Sequence, residues 1–508
     1  MRERPRPPNS EPGTLNPEPG TENPEPGTRN QEPGTRRAAA WRSWLLPLGV
    51  GAAIWLLPVP VGLTPNAWHY TALFAVVVAG LVAEPVPAPV MGFIGLSAAA
   101  VLRLVADTPA DSVRWALSGF SNDVVWLIFS ATIFALGYEV TGLGRRIALL
   151  LVRRLGRSTL GLGYAVALAD LVLAPFMPSN TARSAGTIYP VVRSIPPLYG
   201  STPAHHPRAI GAYLFWTAFA TTCVTSSMFA TAMAPNLLAM ELARTIAHVD
   251  FGWTTWMVRA LPFGVVLFLL TPVVTYLVYP PAIASAGAVV AWAGAELAAM
   301  GPLSRRELTM GVLAVLALTG WVAGSAIAAP VTVSLIVISL MVLTGVVSWA
   351  DIVGHRQGWN VLIWFATLLT MADGLSRVGF LTWLADRSAS GLGGYPVVVT
   401  AVLLIALFFV MHYFFASTTA HTTAVLPAFL AAVVAIPDMP VTPVVLTLVY
   451  SLGLMGVLTP YATGPAPVWA SAGYIPTRDF WKLGALMGAL YLLALLAIEL
   501  PFLLYVSG

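Results

Sequence analysis

Long apolar blocks joined by short polar stretches run through this chain from Trp44 to Tyr505. A helix rises about 1.5 Å per residue and a hydrocarbon core is about 30 Å thick, so about 20 apolar residues are needed to cross. On that measure the pattern predicts uninterrupted spans near 44–61, 67–83, 90–105, 124–143, 256–278, 308–323, 331–349, 359–375 and 483–505. Four further apolar segments are interrupted. Two of them, 160–192 and 396–434, consist of flanks about ten residues long around a polar centre. Such flanks predict a re-entrant helical hairpin, since irregular backbone at membrane depth is tolerated only inside protein or a water-filled cavity. The alternative is one spanning helix with a proline kink, which periodicity alone does not exclude.

Duplication favours the hairpin. The first centre reads Ala174-Pro175-Phe176-Met177-Pro178-Ser179-Asn180-Thr181-Ala182-Arg183, and the second Ala416-Ser417-Thr418-Thr419-Ala420-His421. Both carry Ser-x-Thr-Ala followed by a basic or protonatable residue. Each is followed by another interrupted segment. Segment 210–242 contains Thr231-Ala232-Met233-Ala234-Pro235-Asn236, and segment 444–472 contains Thr459-Pro460-Tyr461-Ala462-Thr463-Gly464-Pro465-Ala466-Pro467. Interrupted apolar segments at corresponding places in two halves are the sequence signature of a secondary transporter's binding site. The expected fold is an all-α polytopic membrane protein of about eleven spans, an inverted repeat with two re-entrant helical hairpins and two broken transmembrane helices. The repeats are placed at about 67–280 and 308–505, within a transporter domain covering 41–508.

Charge adds orientation. Only 9% of the 508 residues are charged and 57% are apolar, against roughly 25% charged in soluble chains. Arg36, Arg37 and Arg42 precede the first span; Arg145, Arg146, Arg153, Arg154 and Arg157 follow the fourth. Arg305 and Arg306 precede the seventh, and Arg478 with Lys482 the last. With the hairpins counted as re-entrant, all four clusters fall on one side, which the positive-inside rule makes cytoplasmic together with the N-terminus. The expected location is a cell (inner) membrane. Residues 1–40 stand apart. Glu-Pro-Gly-Thr recurs there at Glu11, Glu18, Glu25 and Glu32, a composition with too little apolar surface to offset its ordering entropy, and a disordered tail is expected.

The candidate chemistry is anion binding. Helices ending inside the membrane present unpaired N–H groups and a partial positive charge at their N-termini. Ser, Thr and Asn side chains add small hydrogen-bonding groups, which suits carboxylates. Candidate substrate contacts are therefore Ser179, Asn180, Thr181 and Arg183 at the first tip and Asn236 in the first break. Ser417, Thr418, Thr419 and His421 follow at the second tip, with Thr463, Gly464 and Pro465 in the second break. A lone Ser or Thr more commonly bonds back to its own helix. Arg183 either faces the site or pairs with Asp170, thirteen residues earlier. The single cysteine, Cys223, excludes an intramolecular disulfide. No His-Glu-x-x-His or clustered Asp motif argues for an intramembrane enzyme, and no rings of charge argue for a channel. No metal or cofactor is expected, and the partners expected are small carboxylates and lipid, not nucleic acid.

At these residues the chain resembles the divalent anion/sodium symporter family. The nearest branch holds 2-oxoglutarate/malate translocators and citrate/succinate or tartrate/succinate antiporters. Gly119-Phe120-Ser121-Asn122, Thr141-Gly142-Leu143-Gly144-Arg145-Arg146, Ile188-Tyr189-Pro190, His412-Tyr413-Phe414-Phe415-Ala416-Ser417 and Leu458-Thr459-Pro460-Tyr461 carry the resemblance together with the tips. The resemblance implies a homodimer working as an elevator, with both tips on the substrate carboxylates. In sodium-coupled members it also implies sodium at the tips and breaks. Here the second tip has Thr418 where the first has Asn180, which removes part of that sodium pattern. Arg183 and His421, one per repeat, are read as the charges that stand in for sodium in an exchanger of di- or tricarboxylates. A sodium-coupled dicarboxylate symporter is the alternative.

Overall fold

The computed structural model describes residues 42–323, 328–392 and 396–507. The Glu-Pro-Gly-Thr repeat lies outside them. Among the described residues the fold is helical, with one isolated bridge between Ser158 and Ser285 as the extended pairing. Seven helices are long and apolar enough to cross a membrane, or eight if the bent pair Arg356–Arg377 and Phe380–Arg387 forms one span. The expected count was about eleven. Three of the seven, Thr159–Phe176, Val397–Phe414 and Thr418–Ala435, belong to the segments expected as hairpins, and several expected spans are instead shorter apolar helices, among them Leu45–Leu56, Ala88–Val101 and Pro330–Leu343. At about 1.5 Å per residue these reach only about 18 to 21 Å.

The centre is the helix Gly211–Met228, all of whose residues are buried. Its apolar positions show no face, and helices of that kind sit inside a bundle. Trp253–Val278, Thr159–Leu173 and Val441–Leu454 pack around it. Small residues let the backbones approach, as in membrane bundles generally. At Gly453, on Val441–Leu454, an added Cβ would fall 2.4 Å from Ser227 Oγ and 2.7 Å from its backbone nitrogen.

The two interrupted regions repeat one order of elements. Thr159–Leu173 runs into a 3-10 turn, Ala174–Phe176, then a break and a π-helix, Thr181–Ile188. Val397–Met411 runs into a 3-10 turn, His412–Phe414, then a break and the helix Thr418–Ala435. Each first arm with its turn is 18 residues long, longer than the run of about ten that the apolar pattern gave, because the chain stays helical through the aromatic and proline positions before the tip. Both chains then double back. Asp170 and Arg183 bond at 3.2 Å, although thirteen residues of straight helix would separate them by about 20 Å. Phe408 and His421, at the same spacing, meet edge to face with ring centroids 4.5 Å apart. The later broken helices match too: Gly211–Met228, Ala230–Ala232 and Ala234–Ile246 against Val441–Leu454, Met455–Val457 and Ala466–Ser471.

Candidate functional site

Serine sets each tip. Ser179 Oγ accepts from the Ala182 N–H at 3.1 Å, and Ser417 Oγ from the Ala420 N–H at 3.5 Å. Each caps the helix that follows and so fixes where it begins. The first tip is tied to the second break. Asn180 Nδ2 donates to Thr463 Oγ1 at 2.9 Å, and Trp469 Nε1 donates to Ser184 Oγ at 2.9 Å. At Gly464 an added Cβ would meet Thr181 Oγ1 at 2.0 Å, so this contact requires glycine.

These elements border a partly open cavity of about 240 Å³. Ser179, Asn180 and Thr181 from the first tip and Ser417, Thr418 and Thr419 from the second line it, with Thr463 and Gly464. Met233, Ala234 and Pro235 bring the start of a third helix, Ala234–Ile246, to the same wall. The start of Ala466–Ser471 follows directly on Gly464 and Pro465. Three further helix beginnings therefore join the first tip around one space, and no lining residue is charged. The opposite wall belongs to other helices: Thr132 on Asp123–Thr141, and Gln357, Val361, Trp364 and Phe365 on Arg356–Arg377. Thr418 Oγ1 is buried there without a hydrogen-bond partner among the described residues.

The remaining candidates sit behind this wall. Arg183 is fully buried. Its Nε faces both Asp170 oxygens at 3.2 Å, Nη1 donates to the carbonyls of Met177 (3.0 Å) and Ala232 (2.7 Å), and Nη2 donates to Ser226 Oγ (2.9 Å). Of the two roles the sequence left open, the Asp170 partnership is the one formed. Asp170 also accepts from Thr222 Oγ1 at 3.1 Å and from Thr225 Oγ1. Asn236 donates to the carbonyls of Ser226 and Phe229 at 2.7 and 3.0 Å, closing the first break from within. Pro465 is buried just ahead of Ala466–Ser471.

His421 does not reach the cavity wall. Its ring lies among Phe408, His412 and Phe415, with neither nitrogen hydrogen-bonded among the described residues. The basic ring that touches the second break is His412, whose Nε2 lies 2.8 Å from the carbonyl oxygen of Ala462. It corresponds to the contact that Arg183 makes with Ala232. Sequence spacing pointed to His421 because it follows the tip as Arg183 does. Thr132, Gln357, Trp364 and Phe365 carried no such signal, since each lies in an unbroken helix far from either tip in the chain. Met233 lay inside a break already visible in the sequence.

Comparison with known proteins gives a consistent set of relatives. The family model described as the sodium:sulfate symporter transmembrane region matches residues 38–505. The L-tartrate/succinate antiporter of Escherichia coli (strain K12) is 45% identical over 468 residues, covering 90% of this chain and 96% of that protein. The antiporter of the same name from Shigella flexneri gives the same identity and coverage. Among solved structures, the Alcanivorax borkumensis YdaH transporter is 20% identical with a TM-score of 0.49, over 78% of this chain and 89% of its own.

Proposed function

We propose that this chain, which belongs to the sodium:sulfate symporter family, is a membrane antiporter for small dicarboxylates of the tartrate and succinate class. The observation that carries the reading is the uncharged cavity at which helix N-termini meet. A helix N-terminus is equivalent to roughly half a positive charge, so several together compensate a dianion without a fixed cation. Hydroxyls and amides at Ser179, Asn180, Thr181, Ser417, Thr418, Thr419 and Thr463 then orient the carboxylates. A cavity of about 240 Å³ lies below the ~300–1,000 Å³ of drug-sized sites and suits a four-carbon acid.

The transport step in this reading is an elevator. Both hairpins, both broken helices and the helices after them move as one body, tied by Asn180 to Thr463, Ser184 to Trp469 and Gly453 to Ser227. The wall carrying Thr132, Gln357, Trp364 and Phe365 belongs to the part that stays. The hairpins are re-entrant, the basic clusters are cytoplasmic and the working unit is a homodimer in an inner membrane. Malate, fumarate, 2-oxoglutarate and citrate are the other acids to test.

Exchange is sodium-independent in this reading. The Arg183 guanidinium already occupies the carbonyl and hydroxyl oxygens of Met177, Ala232 and Ser226, a donor set of the kind that holds a hard cation. In the second break, His412 places its Nε2 against one carbonyl, that of Ala462. The test is isotope counterflow in proteoliposomes loaded with unlabelled succinate or tartrate. Labelled uptake is expected to accelerate with internal substrate and to persist when choline replaces sodium. Steep dependence on sodium would favour the symporter instead, and uptake indifferent to internal substrate would end the antiport reading.

A further inference from the structure

The last helix carries a carboxyl group that the transport site does not use. Thr477–Ala494 continues through a π-helical turn, Leu495–Glu499, into Leu500–Ser507. Glu499 closes that turn with none of its surface exposed. Neither carboxylate oxygen makes a hydrogen bond of full geometry among the described residues, although the backbone N–H of Phe263 comes close enough to favour the ionised form. Single π turns within helices recur at functional sites, and an ionisable side chain inside a membrane segment is rare and usually functional. Here both occur at one residue.

Its surroundings narrow the role. The π turn packs against Trp253–Val278 and Val441–Leu454. The charged and titratable groups on those helices that lie near enough to influence it electrostatically are Arg259 and Tyr450. Tyr450 donates its hydroxyl to the carbonyl of Trp256 at 3.2 Å and gives nothing to Glu499. Arg259 is half-buried and takes part in none of the ion pairs among the described residues. An unpaired buried carboxylate is heavily penalised by lost hydration. The arrangement therefore fits a carboxyl that carries its proton, with a cation held nearby but disengaged.

We propose that Glu499 is an intramembrane proton-binding site, with Arg259 as the cation its carboxylate turns to when the proton leaves. The step balances simply: the proton passes from the carboxyl oxygen to water, and the guanidinium compensates the charge left behind. The ligand is a proton alone, and no metal is required. It goes beyond the exchange reading, because the site lies apart from the cavity between the tips.

The experiment is a pH titration of the purified full-length protein in lipid, read by infrared difference spectroscopy, with exchange measured in parallel. Over about pH 5 to 9, a range that includes documented buried carboxyls, the wild type is expected to lose a protonated-carboxyl band that Glu499→Gln lacks. Arg259→Gln, with no cation to receive the carboxylate, is expected to keep the band to higher pH. Glu499→Gln, the isosteric mimic of the protonated form, is expected to hold the wild type's low-pH exchange rate across the range. A carboxyl band that Glu499→Gln leaves in place, or one that does not change with pH, overturns the proposal. So does an Arg259→Gln titration identical to the wild type's, which remains decisive if Glu499→Gln does not fold. The infrared result needs no substrate, so it stands or falls separately from dicarboxylate exchange.

Discussion

Replacing Arg183 by alanine removes the cation from Asp170, whose side chain is 1% exposed, and orphans the carbonyls of Met177 and Ala232. Truncating one partner of a buried pair costs about 3–5 kcal/mol, because the other charge stays behind uncompensated. Thr222 and Thr225 still donate to Asp170, which places the expectation toward the lower end of that range. The loss should appear where the pair acts, between the first hairpin and Gly211–Met228. Cys223 lies on that helix, 2% exposed, and is the chain's single cysteine. Its alkylation by a thiol-reactive dye therefore reports opening of this region. At about 1.4 kcal/mol per tenfold, labelling in Arg183→Ala should accelerate roughly a hundred- to four-thousand-fold, and counterflow should collapse. Adding Asp170→Asn removes the stranded charge and should slow labelling again by about tenfold or more, a coupling of ~1.4 kcal/mol that is ordinary for contacting residues. Wild-type labelling in the single variant, or no recovery in the double, would refute the assignment of this pair as the brace of the first tip.

Gly464→Ala drives a methyl into Thr181 Oγ1, and overpacking of this kind costs about 1–3 kcal/mol; it should separate the first tip from the second break and cut counterflow about fivefold or more in protein that still inserts normally. Undiminished counterflow would mean that the tip and break need not touch. Deleting residues 2–38, which have no apolar face with which to dock, should leave the exchange rate per folded molecule nearly unchanged. A large loss with normal membrane insertion counts against that reading.

The sequence by itself determined what is local. Apolar runs broken by proline and small polar residues marked the interrupted segments, while the capping of the following helices by Ser179 and Ser417 emerged only in the structure. The duplicated order of a polar tip followed by a broken segment was legible from the same local pattern. Tertiary structure decided everything that depends on which faces meet. Asn180 finds Thr463 across 283 residues of chain, and Thr132 and Gln357 join the cavity from helices with no break to mark them. Arg183 had two possible partners in the sequence, and only the fold-back of its hairpin brings Asp170 within hydrogen-bond reach. His412 rather than His421 touches the second break, because the first-arm residue opposite His421 is Phe408 where the other hairpin has Asp170. Glu499 reads in sequence as one acid near the end of an apolar run. Its isolation follows from the helices packed around it, and apolar periodicity does not encode which neighbours withhold a donor.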